Sequence, residues 1–424
     1  MRTMGQFLAD NARWLVGGFL LTFFSSFGQT FFISLSNAGI RQSYGLSHGE
    51  FGGLYMLATL GSALTLPFLG RVLDRYRTIT VAVGTMIMLA LATVFMGLSA
   101  SIPALVLSLY LLRLFGQGMM TQTALTATGR WFSANRGRAV SLVTLGQQTG
   151  EALLPFLFVI VAGAIGWRAS WFTGTGALLL VALPVVTLLL RRDRVPQNDP
   201  ATVHRLPVRH WTLSEVLRDP KFYLISAGVL APPFVATTIF FHQVYLTELR
   251  GWPLTLFAGG FAVMSAANVA FTLFAGWLID RTSAARVLPL FLLPLAAACF
   301  VAAFVTAPWA IFVFMALMGV SNGFSSTLSG AMWPELYGTA HLGAIRSVVV
   351  ATMVFASAAG PGLTGYLIDA GMDYGLQLAT MGLYAVVAAV GMWIVSVRIR
   401  PGRGDPWLLG GRREADRPGA IRRG

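Results

Sequence analysis

The sequence carries about twelve apolar runs, each near the length at which a helix crosses a bilayer, separated by short connections rich in arginine. A spanning helix needs roughly 20 such residues, because only bonding within the helix satisfies the backbone in hydrocarbon. The runs fall at approximately 14–36, 51–70, 79–98, 103–127, 139–164, 170–190, 222–247, 255–279, 286–306, 309–333, 343–368 and 374–397. With 56% hydrophobic and 11% charged residues, the chain lacks the charged surface of a soluble domain. The first run exceeds a signal-peptide core and is expected to be a retained span. The predicted class is therefore an all-α membrane protein.

The net charge of +14 would suit nucleic acid if it were clustered on a soluble face. It is not: of 30 basic residues only Lys221 is a lysine, and nearly all of the arginines lie in connections or in the C-terminal tail. One face collects Arg2, Arg13, Arg71, Arg75, Arg77, Arg130, Arg136, Arg138, the 191–221 segment, Arg281, Arg286, Arg346 and the tail, while the other holds only Arg41, Arg168 and Arg250. The positive-inside rule makes the crowded face cytoplasmic, with both termini on it. Membrane lipid and a small solute are the expected partners, nucleic acid is not, and a monomer is expected. The lone Cys299 permits no intrachain disulfide.

The longest connection divides the spans into two sets of six. Within it Thr212 and Glu215 have capping-box spacing and Pro220 follows, predicting a short surface helix. The expected organisation is a bundle over 1–190, a linker over 191–221, a second bundle over 222–397 and a basic tail over 398–424. The halves look duplicated: Gly70 and Gly276, Asp74 and Asp280, Arg75 and Arg281, Gly137 and Gly343, and Pro155 and Pro361 are each 206 positions apart (276 minus 70, for example). Two related bundles of this kind place a substrate site between them near mid-membrane.

"GRVLDRYR" (70–77) and "GWLIDR" (276–281) resemble the loop signature of the major facilitator superfamily, with Arg77 and Ser283 where a second glycine is usual. The stretch Arg130–Pro155 resembles the branch containing oxalate/formate and monocarboxylate carriers. The resemblance covers about 14–397 and implies twelve spanning helices in two pseudo-symmetric six-helix bundles. It further implies a secondary transporter that works by alternating access. Asp74, Arg75, Arg77, Asp280 and Arg281 are then expected to form a conformational latch, since orientation by positive charge explains the arginines but not the two aspartates. Pro155 and Pro361, among glycines in corresponding spans, are expected hinges.

Two charges interrupt apolar runs: Arg113 in "YLLRLFGQGMM" and Glu151 in "QQTGEALLP". Each costs about 2.5–3.5 kcal/mol at a helix centre, so each should face a cavity or a partner. As residues of neighbouring spans they are expected partners for each other. The 206-position shift lands on Gly319 and Ser357, so the pair is not duplicated as a brace common to both bundles would be. A guanidinium facing the cavity suits a carboxylate, and a desolvated Glu151 suits proton coupling. Gln29, Gln117, His242, Asn268 and Asn322 are the other expected cavity residues. The carboxylate carriers resembled here have a basic residue in the eighth span, where this chain has Asn268 and no charge; only an organic anion as a class carries over.

No zinc spacing, nucleophile triad or nucleotide-binding loop is present, so neither an enzyme nor a nucleotide-driven pump is expected, and no cofactor or metal. The leading expectation is uptake of an organic monocarboxylate across a bacterial inner membrane by proton symport. Export of amphipathic compounds and uptake of a neutral vitamin-like solute are the alternatives.

Overall fold

The structure, a computed structural model, describes residues 4–132, 136–192, 211–338 and 341–399. Residues 193–210 of the expected 191–221 linker, the tail from 400 onward, and the side chains of Asp74 and Asp280 lie outside the described residues. Among the described residues, eleven helices and one bent pair are long and apolar enough to cross a membrane, twelve spans when the bent pair is taken as one. They are α1 (Leu8–Gly28 followed by Thr30–Tyr44), α2 (His48–Gly70), α3 (Thr78–Leu98), α4 (Ile102–Trp131), α5 (Ala139–Ile165) and α6 (Trp167–Leu190). The second set is α7 (Pro220–Phe241), α8 (Leu254–Ile279), α9 (Ala284–Phe304), α10 (Ala310–Tyr337), α11 (Val348–Asp369) and α12 (Tyr374–Val397). The expected surface helix is present at Leu213–Val216, closed by reciprocal bonds between Thr212 and Glu215.

Small residues set the packing within each bundle. Gly146 and Gly150 of α5 press against the Phe19 and Phe23 carbonyls of α1, while Gly319 and Gly323 of α10 press against the α8 backbone at Met264 and Asn268. In lipid no hydrophobic drive pulls helices together, so such close approaches supply van der Waals contact that larger residues would prevent.

The bundles meet along two long pairings, α2 with α11 and α5 with α8, and at a shorter crossing of α1 with α7. An even number of passes puts both chain ends at one end of the molecule, here the terminal end. Burial along α2 runs from Gly49 to Ser62 and stops there. On α11 the stretch from Val350 to Ser357 holds no buried residue, whereas Ala358, Gly360, Pro361 and Thr364 are buried. The α2–α11 seam is therefore buried at the distal end and loses that burial over Val350–Ser357, before Val349 and Ile345, which are buried.

The backbones of α1 and α4 come close at two glycines: a side chain at Gly116 would put its first carbon 2.6 Å from the Gly28 Cα. Gly116→Leu is expected to cost about 1–3 kcal/mol through overpacking and to lower the melting temperature of the detergent-purified chain. Gly84→Ala, at a site with open space around it, should melt with the wild type.

Candidate functional site at the break in α1

The first span is interrupted in mid-course. Ser25–Gly28 forms a tight turn, Gln29 is extended (φ −83°, ψ 151°), and the helix restarts at Thr30 after a bend of 47°. Local hydroxyls prepare the break: Thr22 Oγ1 donates to the carbonyls of Phe19 (2.9 Å) and Val143 (2.6 Å), and Ser25 Oγ donates to that of Thr22 (2.6 Å). Hydroxyls that bond back to the preceding turn bend helices. Opposite the break, Leu112–Met120 of α4 is a π-helix, the wider winding that concentrates at functional sites.

Arg113 sits in that π-helix, 6% exposed. One terminal guanidinium nitrogen donates to Thr30 Oγ1 at 3.2 Å and, at the longer distance of 3.5 Å, to the Gly28 carbonyl. The guanidinium carbon lies 5.6 Å from the centre of the Tyr55 ring, and the Tyr55 hydroxyl shares a 2.7 Å hydrogen bond with Thr30. Arg113 Nε is buried with no hydrogen-bond partner. Three elements thus converge on one cation whose bonding is incomplete. Gln29 forms the extended joint itself, and Gln117 is half-buried one turn along α4 from Arg113.

Glu151 is buried at 9% exposure. On α5 the row Val143, Gly146, Gly150 faces α1, while Gln148 accepts a 2.8 Å bond from Asn268 of α8. At 3.6 residues per turn Glu151 falls between these rows, toward the space between α1 and α8. The expected partnership with Arg113 is not what the structure shows: among the described residues no ion pair joins them. Arg113 is held instead by the broken stretch of α1, whose backbone it helps to satisfy. Asn268 spans the seam at mid-depth, and Asn322 is half-buried on α10.

His242 lies in the distal seam, fully buried, where its Nε2 donates to the Pro361 carbonyl at 3.0 Å. Around it is a set of cross-bundle bonds that the sequence did not disclose. Asn37 donates to the Phe241 carbonyl (2.8 Å), Gln243 to the Phe31 carbonyl (2.9 Å) and to Ser34 Oγ (2.8 Å), and Ser34 to the Phe240 carbonyl (2.6 Å). Asn37 and Gln243 are 206 positions apart, as are Ser34 and Phe240, so equivalent positions of the two halves clasp each other at the pseudo-twofold axis. The Asp369 carboxylate adds a clasp from α11 to the start of α2, accepting from the amides of His48 (3.1 Å) and Gly49 (2.6 Å). Negative charge at a helix N-terminus is favoured by the axial dipole as well as by the bonds.

Of the expected latch, Arg75 and Arg77 are exposed, Arg77 reaching the Arg191 carbonyl at 3.4 Å within its own bundle. Arg281 lies over the Trp277 ring at 4.4 Å. Pro155 and Pro361 are buried inside continuous helices, the Pro361 carbonyl lying against Gly52 of α2.

Two stretches of the chain, 18–282 and 245–421, match the Major Facilitator Superfamily, and the chain belongs to that family of membrane transporters. Among curated relatives, the MFS transporter asaE of Aspergillus flavus is 23% identical over 407 residues, covering 91% of this chain and 86% of that protein. Human monocarboxylate transporter 11 is 26% identical over 68% of this chain and 62% of its own length. The niacin transporter NiaP of Acinetobacter baylyi is 21% identical over 57% and 54%. Among solved structures, a bacterial homologue of the human lysosomal transporter Spinster, inward-facing and unoccupied, superposes with a TM-score of 0.66 at 19% identity, covering 91% of this chain and 95% of that one. The nucleoside transporter NupG does so with a TM-score of 0.66 at 11% identity, covering 91% and 98%. These likenesses establish the fold: an all-α membrane protein with two pseudo-symmetric six-helix bundles, as the duplicated sequence implied.

The distal clasp generates a test. With spin labels on Ser43→Cys and Leu249→Cys, both exposed at the distal end and in different bundles, Asp369→Ala is expected to broaden the distance distribution toward longer values in pulsed electron resonance. A distribution identical to that of the Asp369 protein would mean that the clasp does not hold the seam.

Proposed function

We propose that this transporter carries a small organic anion of the monocarboxylate class, by alternating access coupled to protons, with Arg113 as anion contact and Glu151 as proton carrier. The observation that carries the reading is the one-sidedness of the polar cluster. Applying the 206-position shift to Gln29, Thr30, Tyr55 and Arg113 gives Val235, Ala236, Phe261 and Gly319. The scaffold is repeated but this cluster is not, which is what a site made for an asymmetric solute requires and a structural brace does not. A buried guanidinium with an unfilled nitrogen favours a planar anion. Phe31 and Phe261, 5.6 Å apart beside Thr30, favour a short apolar or aromatic body on that anion. The relatives named for monocarboxylates and niacin point the same way.

In this reading the two bundles correspond to 1–190 and 222–397, and Gln29, Gln117, Asn268 and Asn322 complete the cavity wall. The arginine distribution orients the terminal end toward the cytoplasm, so the conformer is shut to the outside and accessible from within. His242 joins the outer gate. Asp74, Arg75, Arg77, Asp280 and Arg281 act in the opposite phase, latching the cytoplasmic side when it closes, with Pro155 and Pro361 flexing α5 and α11 between phases. The membrane is a bacterial inner membrane and the working unit one chain.

Reconstituted in proteoliposomes with an imposed pH gradient, the wild type is expected to accumulate a labelled monocarboxylate such as lactate or benzoate without ATP. Arg113→Gln should lower uptake by about tenfold or more, the range of a lost charge-assisted bond. Glu151→Gln should abolish accumulation driven by the pH gradient and leave exchange of internal for external substrate. Accumulation that persists in Glu151→Gln removes the proton role from that residue.

A further inference from the structure

Beside the distal clasp lie two aromatic contacts between the bundles. Phe241 of α7 is 4.7 Å from the Tyr55 ring of α2 and stacks on Phe51 at 5.1 Å, while Phe31 of α1 is 5.6 Å from Phe261 of α8. Tyr55 and Phe261 are equivalent positions, 206 apart, and both are fully buried. Each half thus offers the other bundle one ring from its second span. Phe261 does so as a plain ring, so this packing does not require the hydroxyl that Tyr55 carries.

That hydroxyl is spent on the polar cluster instead. It shares a 2.7 Å hydrogen bond with Thr30 Oγ1, and Thr30 Oγ1 accepts from Arg113 at 3.2 Å. The Arg113 guanidinium also stands over the Tyr55 ring, 5.6 Å from its centre. Tyr55 is therefore held twice by one cation, through Thr30 and through the ring face. Its ring in turn touches Phe241, whose carbonyl accepts the clasp bond from Asn37 at 2.8 Å. A line of contacts runs from Arg113 on α4 through Thr30 on α1 and Tyr55 on α2 to Phe241 in the opposite bundle. Linked hydrogen bonds polarise one another, so a change at the cation is felt along the line.

We infer that Tyr55 is the positioning residue through which an anion on Arg113 loosens the distal gate. The inference rests on the reading of Arg113 as an anion contact and extends that site to the opposite bundle. A carboxylate on the guanidinium draws it from Thr30 and from the ring face, and both holds on Tyr55 weaken together. The ring then loses its fixed seat against Phe241, at the residue where the clasp is fastened. A solute shifts the balance of conformers only through a contact that differs between them, and this contact is of that kind. The second half has no equivalent line, because Phe261 lacks the hydroxyl and Gly319 stands at the position matching Arg113.

Tyr55→Phe keeps the ring and removes the hydroxyl. The distal distance would be read by pulsed electron resonance between spin labels on Ser43→Cys and Leu249→Cys, which are exposed in different bundles. Spectra would be taken without ligand and with benzoate at a concentration that titration calorimetry shows to saturate each protein, with benzamide as the neutral control. In the otherwise wild-type chain benzoate is expected to shift the distribution toward longer distances, and benzamide is not. In Tyr55→Phe saturated with benzoate, the shift should be lost. A shift of full size in Tyr55→Phe, or none in the wild type, would overturn the coupling role; if Arg113→Gln still abolishes binding, the anion reading stands. Failure of Tyr55→Phe to bind benzoate would also overturn it, by making the hydroxyl a contact of the anion itself. Binding of none of benzoate, pyruvate and lactate to the wild type would overturn both readings. If Tyr55→Phe does not fold, Thr30→Val breaks the same line one bond earlier, and a full shift in that variant at saturating benzoate refutes the relay.

Discussion

A backbone in hydrocarbon must have every donor and acceptor met, and one interruption of that rule organises the first bundle. Where α1 breaks at Gly28–Gln29, the interruption is tolerated because protein, not lipid, surrounds it. Gly28 and Gly116 let α4 come close, the π-helix at Leu112–Met120 rotates Arg113 to the gap, and the guanidinium answers the Gly28 carbonyl. Tyr55 then fixes Thr30 from α2. Each of these residues would be costly alone: a kinked helix, a widened helix, a buried cation and a buried phenol. Together they cover one another's unmet bonds except at Arg113 Nε and the Ser26 hydroxyl.

Duplication supplies the frame against which this asymmetry stands out. At the axis the two halves use equivalent residues in the same way, Asn37 and Gln243 each giving an amide to a carbonyl of the opposite helix. A clasp made by both halves is reversible as a unit, because rocking one bundle against the other strains its bonds together. The cluster of Arg113, Thr30 and Tyr55 is built by one half alone. Symmetry thus belongs to the clasp between the bundles and asymmetry to the polar cluster, a division that suits the proposed transport of a solute with a charged end and an apolar end by two repeats that rock alike.

Much of this was legible in the sequence because it depends on local or periodic signals. Span number follows from apolar run length, the duplication from residues separated by a constant interval, and the burial of Arg113 and Glu151 from their position inside apolar runs. The break in α1 was not legible, since "SSFGQT" differs little from other small, polar stretches in these spans, and only the approach of Gly116 turns it into a bend. Nor was the distal seam: Asn37, Ser34 and Asp369 acquire partners from the other bundle, with sequence separations of 204 to 321 that no local pattern encodes. The pairing of Arg113 with Glu151 was inferred from adjacency of spans, but adjacency does not fix azimuth. Arg113 turns to α1 and α2, and Glu151 to the gap between α1 and α8.

That divergence bears on the proposed coupling. A carboxylate bonded directly to Arg113 would compete with an anionic solute for the same guanidinium, and its protonation would control binding by exchange of one anion for another. With Glu151 elsewhere, the proposed anion and proton sites are separate and share α1: Gly150, beside Glu151, packs on Phe23 and Ser26, two turns or less before the break that cradles Arg113. Charging Glu151 in a closed seam leaves a desolvated anion between α1 and α8, which disfavours that closure, whereas neutralising it permits closure. In the proposed coupling a solute anion on Arg113 likewise removes the unmatched positive charge that disfavours burying that site. In this proposed coupling both loads lower the cost of the same buried, closed interface, and their joint effect drives rocking without contact between them.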